Sequence, residues 1–384
     1  MARRLDLNAL TLHITAAAVQ HPHDLAHHLT QSASISRSTA NKALQRLVQL
    51  GWLKRDGSAR SPHFRPGVMR QVVQRYPLAG LQEDLPWARD FAPFFALPSG
   101  VQRMAQHIFG ELLNNAIDHS GGTSVTVSLR QTASHVQLLV SDDGCGVFDQ
   151  LSRSFALDDP TLAMLELSKG KLTSQPARHA GRGLFFTSRL ADVFDLHANE
   201  VAFQHRDWEG SGWRPGRALK HQGTSVYAAI SLDTTRTLES VLHAHSLNGA
   251  SFGFERTVVP LRLMASPLAG LDSRAQARRV AARLNAFRRA EMDFDGVDTI
   301  GHSFADELFR VMSPELGDVD LVPLNASPAV AAMIESVRSG IKPPARNSAD
   351  ALGAIARCAH RSKNLFDVVH TTRVHHHFDL NAFD

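Results

Sequence analysis

The stretch His107-Ile108-Phe109-Gly110-Glu111-Leu112-Leu113-Asn114-Asn115-Ala116-Ile117-Asp118-His119 decides how this chain is read. Met104, Ile108, Leu112 and Ala116 recur every four residues and predict the packed row of a helix over 101–119. His107, Glu111, Asn115 and His119 recur at the same spacing on the adjoining face, about 100° round the helix. One face packs, and the next presents a carboxylate, an amide and two imidazoles. The carboxylate can orient or deprotonate an attacking hydroxyl, and an amide oxygen one turn away can ligate Mg²⁺, which is what ATP chemistry needs. Glu-x-x-x-Asn is weak alone and gains specificity from the glycine motifs downstream in the chain.

Two strands are predicted next, Ser124–Arg130 and His135–Ser141, and the second runs into Asp142-Asp143-Gly144-Cys145-Gly146. Glycines there let the backbone bend closely round a base, and Asp142 can accept a hydrogen bond from an exocyclic amine. Cys145, between glycines, reads as a small filler. Gly181-Arg182-Gly183-Leu184 opens a helix through Leu190. Amides at a helix start bind phosphate, and Arg178 and Arg182 are cations nearby. Gly223-Thr224 then begins a strand through Leu232.

This ordered set resembles the GHKL ATPase superfamily over about residues 98–235. Glu111–Ala116 is similar to its N box, Asp142-x-Gly144-x-Gly146 to its first glycine box, Gly181-x-Gly183 to its second, and Gly223-Thr224 to the Gly-Thr before its last strand. The resemblance implies ATP and Mg²⁺ as ligands. It implies Glu111 as general base, Asn115 as Mg²⁺ ligand, Asp142 as holder of the adenine amine and residues 149–180 as a lid. His119, Gly144, Gly146, Arg178, Gly181, Arg182, Gly183, Leu184 and Thr224 complete the expected nucleotide set; His119 reads equally as a packed or solvated side chain. The second box often carries a further glycine where this chain has Phe185. No paired phosphoacceptor helices fit in the Pro-broken residues 66–95, so the stand-alone anti-sigma kinases resemble the domain better than sensor kinases do.

The N-terminal segment predicts a helix through about Val19, a second over Asp24–Leu29 and a third opening at Ser36 or Ser38. Trp52–Arg55 and Pro62–Arg65 then form a hairpin through Asp56-Gly57-Ser58. The order resembles a winged helix-turn-helix, whose third helix would present Arg37, Ser38, Thr39, Asn41, Lys42 and Arg46 to duplex DNA. Charge agrees. Residues 1–75 hold 11 Lys/Arg against 3 Asp/Glu, a net of +8, while the remainder holds 30 against 34, a net of −4. Residues 66–95 read as a connector with one short helix around Met69–Arg75.

Beyond the glycine motifs, Ser273-Arg274-Ala275-Gln276 is a capping box for a helix through Arg289. A strand Glu291–Phe294, a helix capped by Ser303, a strand Val319–Leu324 and a helix opened by Ser327-Pro328 come next. Asp293-Phe294-x-Gly296-Val297 with Ser303-Phe304-Ala305-Asp306-Glu307 resembles the STAS-like domain DUF4325. That resemblance makes Ser303 a candidate phosphoacceptor, although a helix cap is the simpler reading. His375-His376-His377 lacks partners and reads as a solvated cluster.

The expected architecture is multidomain α/β: a winged helix over 1–70, a connector over 71–97, a GHKL α/β sandwich over 98–235, a STAS-like α/β domain over 255–341 and an irregular tail over 342–384. Cys145 and Cys358 make no disulfide framework or thiolate zinc site. No apolar run suits a membrane span or a signal-peptide core, so the expected location is cytoplasmic. The expected function is an ATP-controlled, DNA-binding regulator, with a homodimer or a regulatory protein as further partners. The alternatives are an anti-sigma-type Ser/Thr kinase and an ATP-dependent assembly factor.

Overall fold

The computed structural model describes residues 6–157, 159–173, 181–209, 212–265 and 270–340. Arg178, Cys358 and His375–His377 lie outside them. The chain begins with four helices, α1 (Leu7–Thr11), α2 (Ile14–Gln20), α3 (Leu25–Ser32) and α4 (Arg37–Gln49), then the antiparallel hairpin β1 (Leu53–Gly57) and β2 (Pro62–Pro66). Asp6 and Ser36 cap α1 and α4 with side-chain oxygens. The single first helix expected is two, interrupted at Leu12 and His13. Ile14, Leu25, Leu44, Leu47, Trp52 and Phe64 close a separate small core here.

Residues 70–77 correct the sequence reading: they form strand β3 (Arg70–Pro77), not a helix in a connector. β3 edges a seven-stranded antiparallel sheet with β4 (Ser124–Gln131), β5 (His135–Asp142), β6 (Val193–Ala198), β7 (Val201–Arg206), β8 (Arg214–Pro215) and β9 (Thr224–Ser231). The spatial order is β3-β4-β5-β9-β6-β7-β8. Pairing of Val72 with Leu129 and of Tyr76 with Val125 sets the register of the edge. The turn α5 (Asp84–Pro86) leads through Trp87–Phe91 to α6 (Ser99–His119), which lies across β5 and β9. Helices α7 (Val147–Phe155), α8 (Pro160–Lys169), α9 (Gly183–Leu190) and α10 (Leu238–Ala244) complete this layer, with α9 against α6.

A three-stranded parallel sheet comes after it, of β10 (Arg256–Pro260), β11 (Arg289–Asp293) and β12 (Asp320–Leu324) in that order. It carries α11 (Arg274–Ala281), α12 (His302–Asp306), α13 (Met312–Glu315) and α14 (Pro328–Arg338). Ser273 and Gln276 form the reciprocal capping box expected. That helix stops at Ala281, however, because Ala282 is extended and Arg283 is left-handed (φ 62°). Gly301, not Ser303, is the N-cap of α12, which leaves Ser303 exposed in the first turn. One continuous apolar core joins the seven-stranded and three-stranded layers, from Val72 through Phe185, Phe254 and Met292 to Val337. No helix among the described residues is long and apolar enough to cross a membrane.

Candidate functional site

Helix α6 buries Met104, Ile108, Leu112 and Ala116 in the core. Its adjoining face carries Glu111, Asn115 and His119 to the wall of a cavity of about 340 Å³. His107, of the same row, is not on that wall. The Asn115 side-chain nitrogen is buried with no hydrogen-bond partner among the described residues. An unpartnered buried amide is costly. Turning that amide over would present its oxygen instead, and an oxygen there suits a hard cation.

At the opposite wall β5 ends in Asp142. Its Oδ1 accepts from the amides of Gly144 (2.9 Å) and Thr224 (3.1 Å), so both amide bonds fall on one of its two oxygens. Burial raises the Asp142 pKa, and the two amide bonds oppose that rise. Gly144 lies off the cavity wall; a Cβ there would strike the Ser120 carbonyl, so the position needs glycine for close packing. Gly146 (φ 83°) is the N-cap of α7, and the Val147 amide donates to Thr224 Oγ1 (3.0 Å). The carboxylate of Asp143 faces away and accepts from Thr123 and Ser124. Although burial opposes them, these bonds hold it well below the usual carboxylate range.

Asn199 was not singled out from sequence. It sits in the left-handed region (φ 52°) between β6 and β7. Its Nδ2 donates to the Cys145 carbonyl (2.9 Å) and to Asp149 Oδ2 (2.8 Å), and its Oδ1 accepts from the Gly223 amide (3.0 Å). One side chain thus ties the Asp142–Gly146 turn, α7 and the start of β9 together. An Asn-Glu pair between strands signals a turn, but its three partners are distant in sequence.

The third wall is the start of α9. Gly181 (φ 63°), Arg182, Gly183 and Leu184 line the cavity with Leu172 and Thr173. A Cβ on Gly183 would come 2.5 Å from Glu111 Oε2, so the glycine lets α9 approach the carboxylate. Gln150, Ser154 and Phe155 of α7 also face the cavity, and the sequence reading did not mark them. Phe185 lines its base and packs its ring on Phe254 (4.6 Å) and His245 (4.8 Å).

Outside the cavity, Arg37, Ser38, Asn41, Lys42 and Arg46 are exposed on α4. Thr39 is half-buried and its hydroxyl bonds the Ser36 cap.

Residues 100–234 match the family model described as histidine kinase-, DNA gyrase B-, and HSP90-like ATPase (HATPase_c). Residues 276–331 match the STAS-like domain of unknown function (DUF4325). No curated protein matches the chain. Residues 100–234 therefore carry a histidine kinase-, DNA gyrase B- and HSP90-like ATPase domain, which implies ATP binding, and the chain joins it to a STAS-like domain over residues 276–331.

Proposed function

We propose that this protein is a regulator that binds DNA and is controlled by ATP held in the cavity between α6, β5 and α9. The observation that carries the reading is convergence. Glu111, Asn115, Asp142 and the Gly181–Leu184 turn come from separate stretches of the chain and face one cavity of about 340 Å³. That size lies within the usual range of small-molecule sites, about 300–1,000 Å³.

In this reading Asp142 Oδ2 accepts from the adenine amine, while Gly146 and Thr224 flank the base. The amides opening α9, with Arg182, face the phosphates. Arg178 lies outside the described residues and is proposed only as a further phosphate cation. The Asn115 amide oxygen would hold Mg²⁺, which would supply positive charge to the phosphates, and His119 lines the same cavity. Glu111 orients or deprotonates the attacking hydroxyl. Bound ATP supplies the transferable γ-phosphoryl group; the residues around it hold the geometry.

The exposed residues of α4 and the net charge of +8 over 1–75 support duplex DNA as the partner of the N-terminal module. A kinase reading is the second one. Ser303 is exposed at the start of α12, as an acceptor must be. Asp306 and Glu307 close by oppose added phosphate, and the core shared with the ATPase domain favours the regulator.

Incubation of the full chain with γ-labelled ATP and Mg²⁺ separates the two. The regulator reading expects bound ATP or free phosphate and no labelled Ser303, with any turnover lost in Glu111→Ala while binding is kept. Label on Ser303 would replace it with the kinase reading.

A further inference from the structure

The wall of the cavity formed by Leu172 and Gly181 is fastened from behind. Lys171 donates its amide to the Gly181 carbonyl (2.7 Å). Lys171 Nζ donates to the Ala286 carbonyl (2.6 Å) and lies over the ring of Phe287 (4.4 Å), both on the STAS-like side of the chain. Two residues earlier, Lys169 Nζ pairs with Glu166 Oε1 (2.5 Å) and donates to the Ala282 carbonyl (2.9 Å). Arg283 closes the set, pairing with Glu166 Oε2 (2.7 Å) and donating to the Gly170 carbonyl (3.1 Å). Glu166 and Lys169 are buried, and the Lys169 carbonyl accepts from Thr257 on β10 (2.8 Å).

A buried ion pair is weak evidence for stability, because desolvation offsets much of its attraction, so the crossing pair Arg283–Glu166 suits a role in fixing geometry. The backbone agrees. Lys171 (φ 56°) and Arg283 (φ 62°) both adopt the left-handed region that favours glycine, at two of the places where the domains meet. Phe254, just before β10, fills the remaining space against Gly170, Phe185 and Phe186.

We infer that Glu166, Lys169 and Arg283 are positioning residues of the ATP site, pinning one wall of the nucleotide cavity to the STAS-like domain so that this domain sets ATP affinity. The inference rests on the proposed ATP site. It gives the STAS-like domain a function here: it is the other half of the nucleotide pocket's frame. By linkage, ATP must tighten the STAS-like domain as much as that domain tightens ATP.

The test uses the full chain. Arg283→Met removes the outer charge and leaves Glu166 and Lys169 still paired, so it should fold. Mg·ATP is titrated calorimetrically into the wild type, Arg283→Met and Arg283→Lys, and hydrogen exchange over residues 282–289 is followed with and without ATP. The expected result is roughly tenfold weaker ATP binding in Arg283→Met, with affinity recovered in large part by Arg283→Lys. Exchange over 282–289 should slow with ATP in the wild type and not in Arg283→Met. Should Arg283→Met not fold, Lys171→Met removes the bond to Ala286 and the cation over the Phe254 and Phe287 rings, and should weaken ATP binding in the same direction. Wild-type affinity in the variant, with exchange over 282–289 indifferent to ATP, overturns the inference alone. A wild type that binds no ATP overturns the site itself.

Discussion

At the scale of single residues, Asp142 carries opposing demands. Its Oδ1 is held by two amides, its Oδ2 is the atom proposed to meet the ligand, and burial raises its pKa. A carboxyl whose pKa is higher in the folded than in the unfolded state destabilises the free protein once both are ionised, so near pH 7 that cost is present in full. Asp142→Asn keeps an oxygen for both amides and removes the charge. We expect its ATP-free melting temperature to equal or exceed that of the wild type, while ATP no longer raises it. A lower melting temperature without ATP would mean that the carboxylate serves structure rather than ligand. Glu111, Asn115 and Asp142 were legible because chemistry at fixed spacing survives in one dimension. Asn199 was not legible, since its role depends on a left-handed backbone and on three partners that only the folded sheet assembles. Gly144 was legible as a glycine but not for its reason, the carbonyl of Ser120 beneath it.

At the scale of elements, α9 carries the departure from the family pattern. Phe185, where a glycine is common, turns its ring into a cluster with Phe186, His245 and Phe254. In that cluster Phe185 is buried. His245 shares the cluster and donates from Nδ1 to the Arg256 carbonyl (3.2 Å). Burial, with the nearby Arg189 cation, pushes its pKa down to about 4. A histidine depressed in the folded state contributes stability that is present above its unfolded pKa, near 6.5, and is lost as pH falls toward about 4. Urea unfolding at pH 7.5 and pH 5 should therefore show the wild type losing roughly 2 kcal/mol more than His245→Gln. Equal losses in the two proteins would contradict the assignment. Among elements, α6 and α14 were readable because their apolar rows and caps are local. β3 was missed because it is an edge strand, bonded along one side only, with Gln71 and Val72 buried side by side instead of alternating. The expected cap at Ser303 moved to Gly301, because an extended residue two positions earlier already opens the helix.

At the scale of the whole molecule, the apolar core disregards the boundary between the two matched families. It runs without a break from the seven-stranded layer into the parallel sheet, while the N-terminal module keeps a core of its own. That module touches the body through the Gln71 amide, which donates to Thr15 Oγ1 (3.0 Å), and through Arg130 over the Trp52 ring (5.7 Å). Two domains with one core should unfold as one unit. Hydrogen exchange followed through a urea titration should give β5 and β11 the same midpoint, and ATP should raise both together. Separate midpoints, with only β5 responding to ATP, would show that the domains are independent. Pattern and motif indicated both domains but not their union, because the residues that join them (Lys169, Lys171 and Arg283) carry no local signature. The claim on which everything else depends is the ATP site, and calorimetric titration of Mg·ATP into the full chain tests it most directly. The account predicts saturable binding of one ATP per chain, abolished by Asn115→Ala; no binding to the wild type, or undiminished binding to the variant, would contradict it.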